Sequence, residues 1–501
     1  EINEYGEEND STRYTAEGNT IKLTIEDSPS FKLIKKDAET QTTIPNIKFA
    51  IYNVDNGEVP ATDSKGEIIG TKETINGKEY YTVTTNENGE ITADLPEGLY
   101  KAVEVQAPEQ YDISNSIYYF GIGASREAPT TMGEAQATGI GGSSSDEITS
   151  IAPTSDGGYI AVGYFESDEI QVGDYTLTNS GKEDGMLIKY SREGEVEWTR
   201  SVGGSDYDQI VSVAPTNDEG IIVGGYFESD EIQVGDYTLT NSGKEDGMLI
   251  KYSREGDVEW ARSVGGSNSE DIQSVVATSD GGYIAGGNFR SSSIQVGDYI
   301  LTNNSSSIDY PDGMIIKYSR EGDVEWAKSV GGSDEDSIQS VARTSDGGII
   351  AGGYFEGSSI QVGDYTLTNN SSFTSYSEGM IIKYSAEGEV EWVRSVGGKD
   401  HEYINSVAET SDGGLIAGGY FEDNIQVGDY ALTNNGSNDG MIIKYSAEGE
   451  VEWARSVGGE DYDEIISVAE TNDGGLIAGG HFGSDKIQVG EYTLMNSGSY
   501  D

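Results

Sequence analysis

The 501-residue chain has no cysteine, two histidines, nine prolines and five tryptophans, and only 30 basic residues against 89 acidic ones. Without cysteine there is no disulfide framework and no thiolate metal site. A secreted β-protein of this kind must then draw stability from size, repetition or another cross-link. A formal charge of −59 repels phosphate backbones and anionic lipid, whose binding rests on lysine and arginine. Nucleic acid and direct membrane contact are therefore poor partners. No apolar run approaches the roughly 20 residues of a membrane span, and nothing has the pattern of a signal peptide. Glu1 opens without an initiator methionine, and the chain is expected to be part of a longer one.

What is present is glycine, tyrosine and β-branched residues in short runs, with 68 glycines and 32 tyrosines, and no sustained helical period. This composition predicts an all-β chain. Trp198, Trp260, Trp326, Trp392 and Trp453 stand 62, 66, 66 and 61 residues apart, each closing a near-copy of DGMIIKYSAEGEVEW. A fixed long period marks a repeat architecture. Within a unit, SVAETSDGGLIAGGYF (406–421) reads as two strands about a turn at Ser411–Gly414, and MIIKYSAEGEVEWARSV (441–457) as two more. Insertions such as SSSIDYP (305–311) and SFTSYSE (372–378) fall only between the TLTN and DGM phrases, which identifies a surface loop. Four strands per unit, with a glycine pair in IAGGYF for crowding near an axis and a tryptophan on the outer strand, predict propeller blades whose tryptophans pack on the neighbouring blade.

The order DxIxSVAxTSDGG, IIAGGYF, IQVGDYTLTNSG, DGMIIKYSxEGEVEWARSVGG resembles the bacterial β-propeller repeat often called SBBP, found in large secreted and surface proteins. The resemblance covers about 134–501, as five full repeats and a truncated sixth. It implies at least six blades, with seven or eight open, and a ring closed by terminal strands sharing one sheet. GEAQATGIGG (133–142) fills the slot of VEWARSVGG with Gln136 in the tryptophan position and reads as a degenerate outer strand.

Ahead of it, FKLIKKDAETQTTIPNIKFAIYN (31–53) and TTNENGEITADLPEGLYKAVEVQAPEQYDI (84–113) resemble the collagen-adhesin B-type, or SpaA-like, prealbumin-like domain of Gram-positive surface proteins. A β-sandwich is expected over 31–123, followed by a linker at 124–133. The resemblance implies an intramolecular isopeptide bond, with Lys35 as nucleophile and Glu104 as proton shuttle. No Asn or Asp lies between Asn115 and Asp146 to close it, however. NTIKLTIEDSPS (19–30) reads instead as the closing strand of an upstream domain, with Asp27 in the partner slot and residues 1–30 as that domain's tail. The alternative is that Lys35 is a strand-edge lysine and Glu104 a turn carboxylate.

Both histidines, His401 and His481, fall in repeat slots held elsewhere by tyrosine, so histidine triads and histidine metal sites are set aside. SREGEVEW (191–198) only partly matches the Asp box of sialidase-like propellers, and no unique carboxylate pair stands apart from the repeats as a glycosidase needs. Acidic loops open the blades, among them Asp206 and Asp208, Asp334 and Asp336, and Asp461 and Asp463. No cofactor is called for, but oxygen ligands at this density would suit calcium, against the plainer reading of a solvated acidic rim. The propeller is expected to be a cell-surface or secreted adhesin-like head on a stalk domain of a Gram-positive bacterium. It would meet a host or neighbouring-cell glycan or protein on the face of the IQVGDYTLTN loops, where Tyr175, Tyr237 and Tyr365 would stack. An extracellular carbohydrate-active enzyme and a passive spacer are the alternatives.

Overall fold

The computed structural model describes residues 12–16, 19–25, 30–37, 43–53, 59–63, 65–75, 78–96, 98–108, 117–122, 139–471, 474–489, 492–496 and 498. Every regular element among them is a β-strand. The chain divides into two compact units, 1–138 and 139–501. Asp27, Gln136 and the expected linker at 124–133 lie outside the described residues.

The first unit holds two sheets. One orders Thr12–Ala16, Asn19–Ile25, Ser30–Asp37 and Glu90–Asp94; the other orders Ile117–Ile122, Gly98–Gln106, Lys48–Asn53, Lys78–Thr84 and Thr71–Ile75. Leu33, Phe49, Ile91 and Tyr100 are among the residues of its single core. Asn19–Ile25, read from sequence as part of an upstream domain, runs antiparallel to Ser30–Asp37 with Ile21 opposite Lys35. Two alternating segments with so short a link between them pair as a hairpin.

The second unit is a β-propeller series of four-stranded antiparallel blades. Blade 1 comprises Asp146–Pro153, Tyr159–Phe165, Asp184–Tyr190 and Val196–Val202, hydrogen-bonded in that order. A separate two-stranded hairpin, Glu169–Val172 with Tyr175–Thr178, is inserted between its second and third strands. The pattern recurs in blades opening at Asp208, Glu270, Asp336 and Glu402. In blade 6 the described strands are Asp463–Glu470 and Leu476–Phe482 and a hairpin of Lys486–Val489 with Tyr492–Met495.

The glycine pair of IAGGYF has two separate causes. A Cβ on Gly224 would lie 2.6 Å from Ile272 Cγ2 and Val275 Cγ1 of the next blade. A Cβ on Gly225 would lie 2.0 Å from the Gln209 carbonyl oxygen, which a bulge in the first strand pushes toward it. Cores are accordingly shared: Val162, Leu187 and Trp198 of blade 1 pack with Ile210, Val213, Phe227 and Tyr252 of blade 2. Trp198 Nε1 donates to the Arg254 carbonyl at 3.1 Å, and Trp260 Nε1 to that of Arg320, so each indole ties its blade to a turn of the next. Arg200 stacks on Trp198 and donates to Gly256 O of the same turn at 2.8 Å.

Among the described residues the two ends of the series are not paired, and most of the strand expected to close the ring, 133–142, lies outside those residues. Leu476 and Ile477 are 39% and 59% exposed, where their blade 5 counterparts Leu415 and Ile416 are buried, and Ile151 at the other end is 63% exposed. Among the described residues no strand of blade 1 pairs with blade 6.

Candidate functional site

The acidic loops split into two kinds of carboxylate. Asp208, first in its strand, is fully buried and accepts from Gly204 N and Ser229 Oγ, both at 2.7 Å. Asp336 accepts from Gly332 N at 2.6 Å, and Asp463 from Gly459 N and Ser484 Oγ. Asp206 instead pairs with Lys182 at 2.5 Å near the surface, Asp334 accepts from Ser333 Oγ, and Asp461 accepts from Tyr462 N. The two members of each predicted pair thus have different partners. Among the described residues no group of three or more His, Asp or Glu side chains is placed to hold a metal ion.

Tyr175, Tyr237 and Tyr365 each use the hydroxyl to pin the inserted hairpin, donating to the carbonyls of Glu197, Glu259 and Glu391. Those acceptors lie at the start of the fourth strand, whereas the acidic loops follow its end. Trp326 and Trp392 donate to Ala386 O and Ala447 O, while Trp453 is only half-buried.

A row of side chains forms elsewhere, where each first strand begins and each second strand ends. The second residue of the first strand faces the sixth of the second: Glu147 opposite Tyr164, Gln209 opposite Tyr226, Asp271 opposite Asn288, Ser337 opposite Tyr354, Tyr403 opposite Tyr420 and Glu464 opposite His481. At two junctions these pairs touch from blade to blade. Asn288 Nδ2 lies 3.3 Å from Ser337 Oγ, and the Tyr354 and Tyr403 rings are 4.4 Å apart, with Tyr403 stacked 4.8 Å from Tyr420. The second insertion and one histidine join in: Tyr376 packs 4.7 Å from His401, whose Nδ1 accepts from Ser377 N at 3.1 Å. Burial holds the His401 imidazole below its ordinary pKa, so it stays neutral at pH 7.

Carboxylates crowd this row. Burial first, and then Asp271 and Glu228, push Glu245 up to about 8, and burial with Glu335 and Asp334 pushes Glu356 up to about 7. Tyr354 donates to Glu335 at 2.7 Å, and Tyr164 to Glu147 at 2.7 Å. Such a surface suits a cation. Lys182 already shows how one is received, 4.6 Å over the Tyr207 ring and beside Asp206. Comparison of the repeats with one another carries a signal that the motif-based reading passed over. The second position of the first strand takes five residue types in six units, while DGM(L/I)IKYS barely changes.

In the first unit, Lys35 and Glu104 come from different sheets and meet in the interior at 2.6 Å, both buried, with Glu104 Oε1 left without a hydrogen-bond partner. Residues 29–136 match the SpaA family, a prealbumin-like fold domain. The SpaA-like unit thus brings together the two residues that the sequence resemblance singled out.

The chain is similar to an uncharacterized WD repeat-containing protein, L264, of Acanthamoeba polyphaga mimivirus. They are 22% identical across 85% of this chain and 37% of that protein. A shorter match, 29% identical over 22% of this chain and 12% of the other, is to the regulatory protein FlaEY of Caulobacter vibrioides. The chain thus spans well under half the length of these relatives. Among solved structures, the Pan2 WD40 domain of Neurospora crassa is similar at TM-score 0.34 and 8% identity, covering 68% of this chain and 85% of that one. YCF48 bound to a D1 peptide is similar at TM-score 0.32 and 10% identity, covering 70% and 80%.

Proposed function

We propose that this chain is a non-catalytic binding protein whose blades dock a basic protein segment along the tyrosine and carboxylate row. One observation carries the reading: near-identical units diverge at exposed or half-buried row positions such as Glu147, Gln209, Asp271 and Tyr403, while their buried third strands and their fourth strands stay almost constant. Duplicated scaffolds that differ at contiguous surface positions are suited to reading an extended partner, and crowded carboxylates beside tyrosine faces select lysine or arginine. Ser377 Oγ lies 3.3 Å from His401 Nδ1, but Ser377 is fully buried and its hydroxyl also bonds Glu356 and Tyr403, so this pair is read as packing and chemistry is not part of the proposal. The SpaA-like unit and the SBBP-like repeats support an adhesin-type setting on the surface of a Gram-positive cell, with the first unit as stalk.

An array of lysine-rich and arginine-rich peptides, acidic peptides and neutral glycans, probed with the whole chain, tests this. Basic peptides should bind with affinity that falls as salt rises, and Tyr403→Ala should weaken them about tenfold, in line with loss of one cation–π and stacking contact. Tyr365→Ala, away from the row, should leave binding unchanged. Glycan binding indifferent to Tyr403 would transfer the reading to a lectin-like head, and turnover of glycoside substrates would replace it with the enzyme.

A further inference from the structure

The blade junctions carry a second recurring feature, independent of the ligand row. At each one the first residue of the incoming first strand donates its N–H to the residue just before the third strand of the preceding blade. The pairs are Asp208 to Glu183 at 2.9 Å, Glu270 to Glu245 at 3.0 Å, Asp336 to Pro311 at 2.8 Å, and Glu402 to Ser377 and Asp463 to Asn438 at 2.9 Å. The acceptor is followed in every case by an acid, namely Asp184, Asp246, Asp312, Glu378 and Asp439, each at most 1% exposed. Two buried carboxylates, one per blade, are therefore brought to every junction.

The GG phrase that ends each repeat runs between them. Its second glycine donates N–H to the incoming acid, as Gly204 does to Asp208 and Gly332 to Asp336. Its first glycine leaves room for the other acid. A Cβ on Gly331 would lie 2.6 Å from Asp312 Oδ1 and 2.8 Å from Asp336 Oδ2, so both carboxylates border one small space. In four junctions the oxygen on the third-strand side, Oδ1 of Asp184, Asp246, Asp312 and Asp439, has no hydrogen-bond partner; in the remaining one it is Glu402 Oε1. Among the described residues no lysine or arginine forms an ion pair with any of these acids; Lys317 and its equivalents are taken up by other carboxylates. A buried carboxylate oxygen without a donor is destabilising. Its recurrence at every junction requires a common cause.

We propose that each junction between consecutive blades binds a calcium ion, bridging the third-strand carboxylate of one blade and the first-strand carboxylate of the next. Hard oxygen ligands match that ion, and water or main-chain carbonyls complete its shell. The bridge would fasten blade to blade at the end opposite the turn that the tryptophan indole grips. The carboxylates differ in part from those the acidic-loop reading favoured: Asp208 is joined by Asp184, not by Asp206.

The test is metal content and thermal unfolding of the whole chain after dialysis against micromolar calcium at moderate salt. Close to one ion per complete junction is expected, together with a fall in melting temperature on adding chelator that calcium reverses. Asp312→Asn should remove one ion per chain and keep the others. Asp334→Asn, at the surface beside the same junction, should keep all of them. Loss of no ion in Asp312→Asn would assign the bound calcium to the acidic surface and overturn the proposal. So would a chain that retains no calcium and melts at one temperature with and without chelator.

Discussion

Both units bury lysines, and they do so in different ways. Lys35 lies between two sheets with a single partner, Glu104, itself buried and with one oxygen unsatisfied. Each blade lysine lies within one sheet between two carboxylates that remain open to water: Lys317 with Asp280 and Glu325, Lys383 with Asp346 and Glu391. The first arrangement concentrates an amine and an acid where water cannot dilute their interaction. The second shares one charge between two solvated partners and resembles a staple. The difference teaches that an unusual buried pair is a candidate for chemistry when it is unique and dry, and a folding device when it is repeated and wet.

The largest effect should come from breaking the dry pair. Lys35→Ala leaves Glu104 buried without its cation, which costs about 3–5 kcal/mol. Unfolding followed by a probe in the SpaA-like unit should shift, and the blades should melt as before, because their cores share no residue with that unit. Intact mass gives the chemical half of the test. With no Asn or Asp between Asn115 and Asp146, the unsubstituted chain should show its full sequence mass. Loss of one ammonia or water that vanishes in Lys35→Ala would demonstrate an isopeptide bond.

A middle-sized effect should separate interior junctions from the uncovered edge. Gly352→Leu drives a side chain toward Val407 and Ile404 of the next blade, whose methyls would lie 2.6 and 2.8 Å from the first added carbon; overpacking of this kind costs about 1–3 kcal/mol. Gly479→Leu, in the same slot of blade 6, meets nothing within 4 Å and should stay within about 0.5 kcal/mol. Denaturant midpoints measure both. Val162 fills this slot in blade 1 and is fully buried, so a valine can be accommodated there; leucine reaches further. Equal costs at the two sites would mean that blade-to-blade packing is not what the glycine serves.

How far the sequence reveals this molecule follows from what it repeats. Spacing of Trp198 through Trp453, the turn at Ser411–Gly414 and the confinement of insertions to one loop suffice for the blades, because each reflects a contact made in every unit. The SpaA-like resemblance brings Lys35 and Glu104 to one place for a similar reason: two short motifs mark two strands facing one interior. Ring closure depends on whether strands at the two ends of the series meet, and no local pattern encodes that. Tyr175, Tyr237 and Tyr365 were legible as a repeated feature, but spacing does not reveal the main-chain carbonyl that each hydroxyl meets. The row from Glu147 to His481 was visible only as the places where the repeats disagree, and a search for motifs looks for agreement.

The smallest effect tests the wet staples, and its sign follows from proton binding. The hydrogen bond from Lys383, then that from Thr344, hold Asp346 at about 2, and Thr410 with Gly414 and Lys444 hold Asp412 at about 2. An unfolded aspartate titrates near 3.9. Between those values the folded chain binds fewer protons than the unfolded one, so this stabilisation is complete above about pH 4 and is lost as pH falls toward 2. Because Asp346 is more than half exposed, Lys383→Met should cost under about 1 kcal/mol at pH 7. The informative quantity is the difference between variant and parent. Acid also relieves the repulsion of a chain carrying −59, and that larger change is common to both proteins and cancels. Urea midpoints at pH 7 and pH 2.5 should therefore lie further apart for the two chains at the higher pH and converge at the lower one. A gap that is constant with pH would show that Lys383 contributes through its buried methylenes and not through its charge.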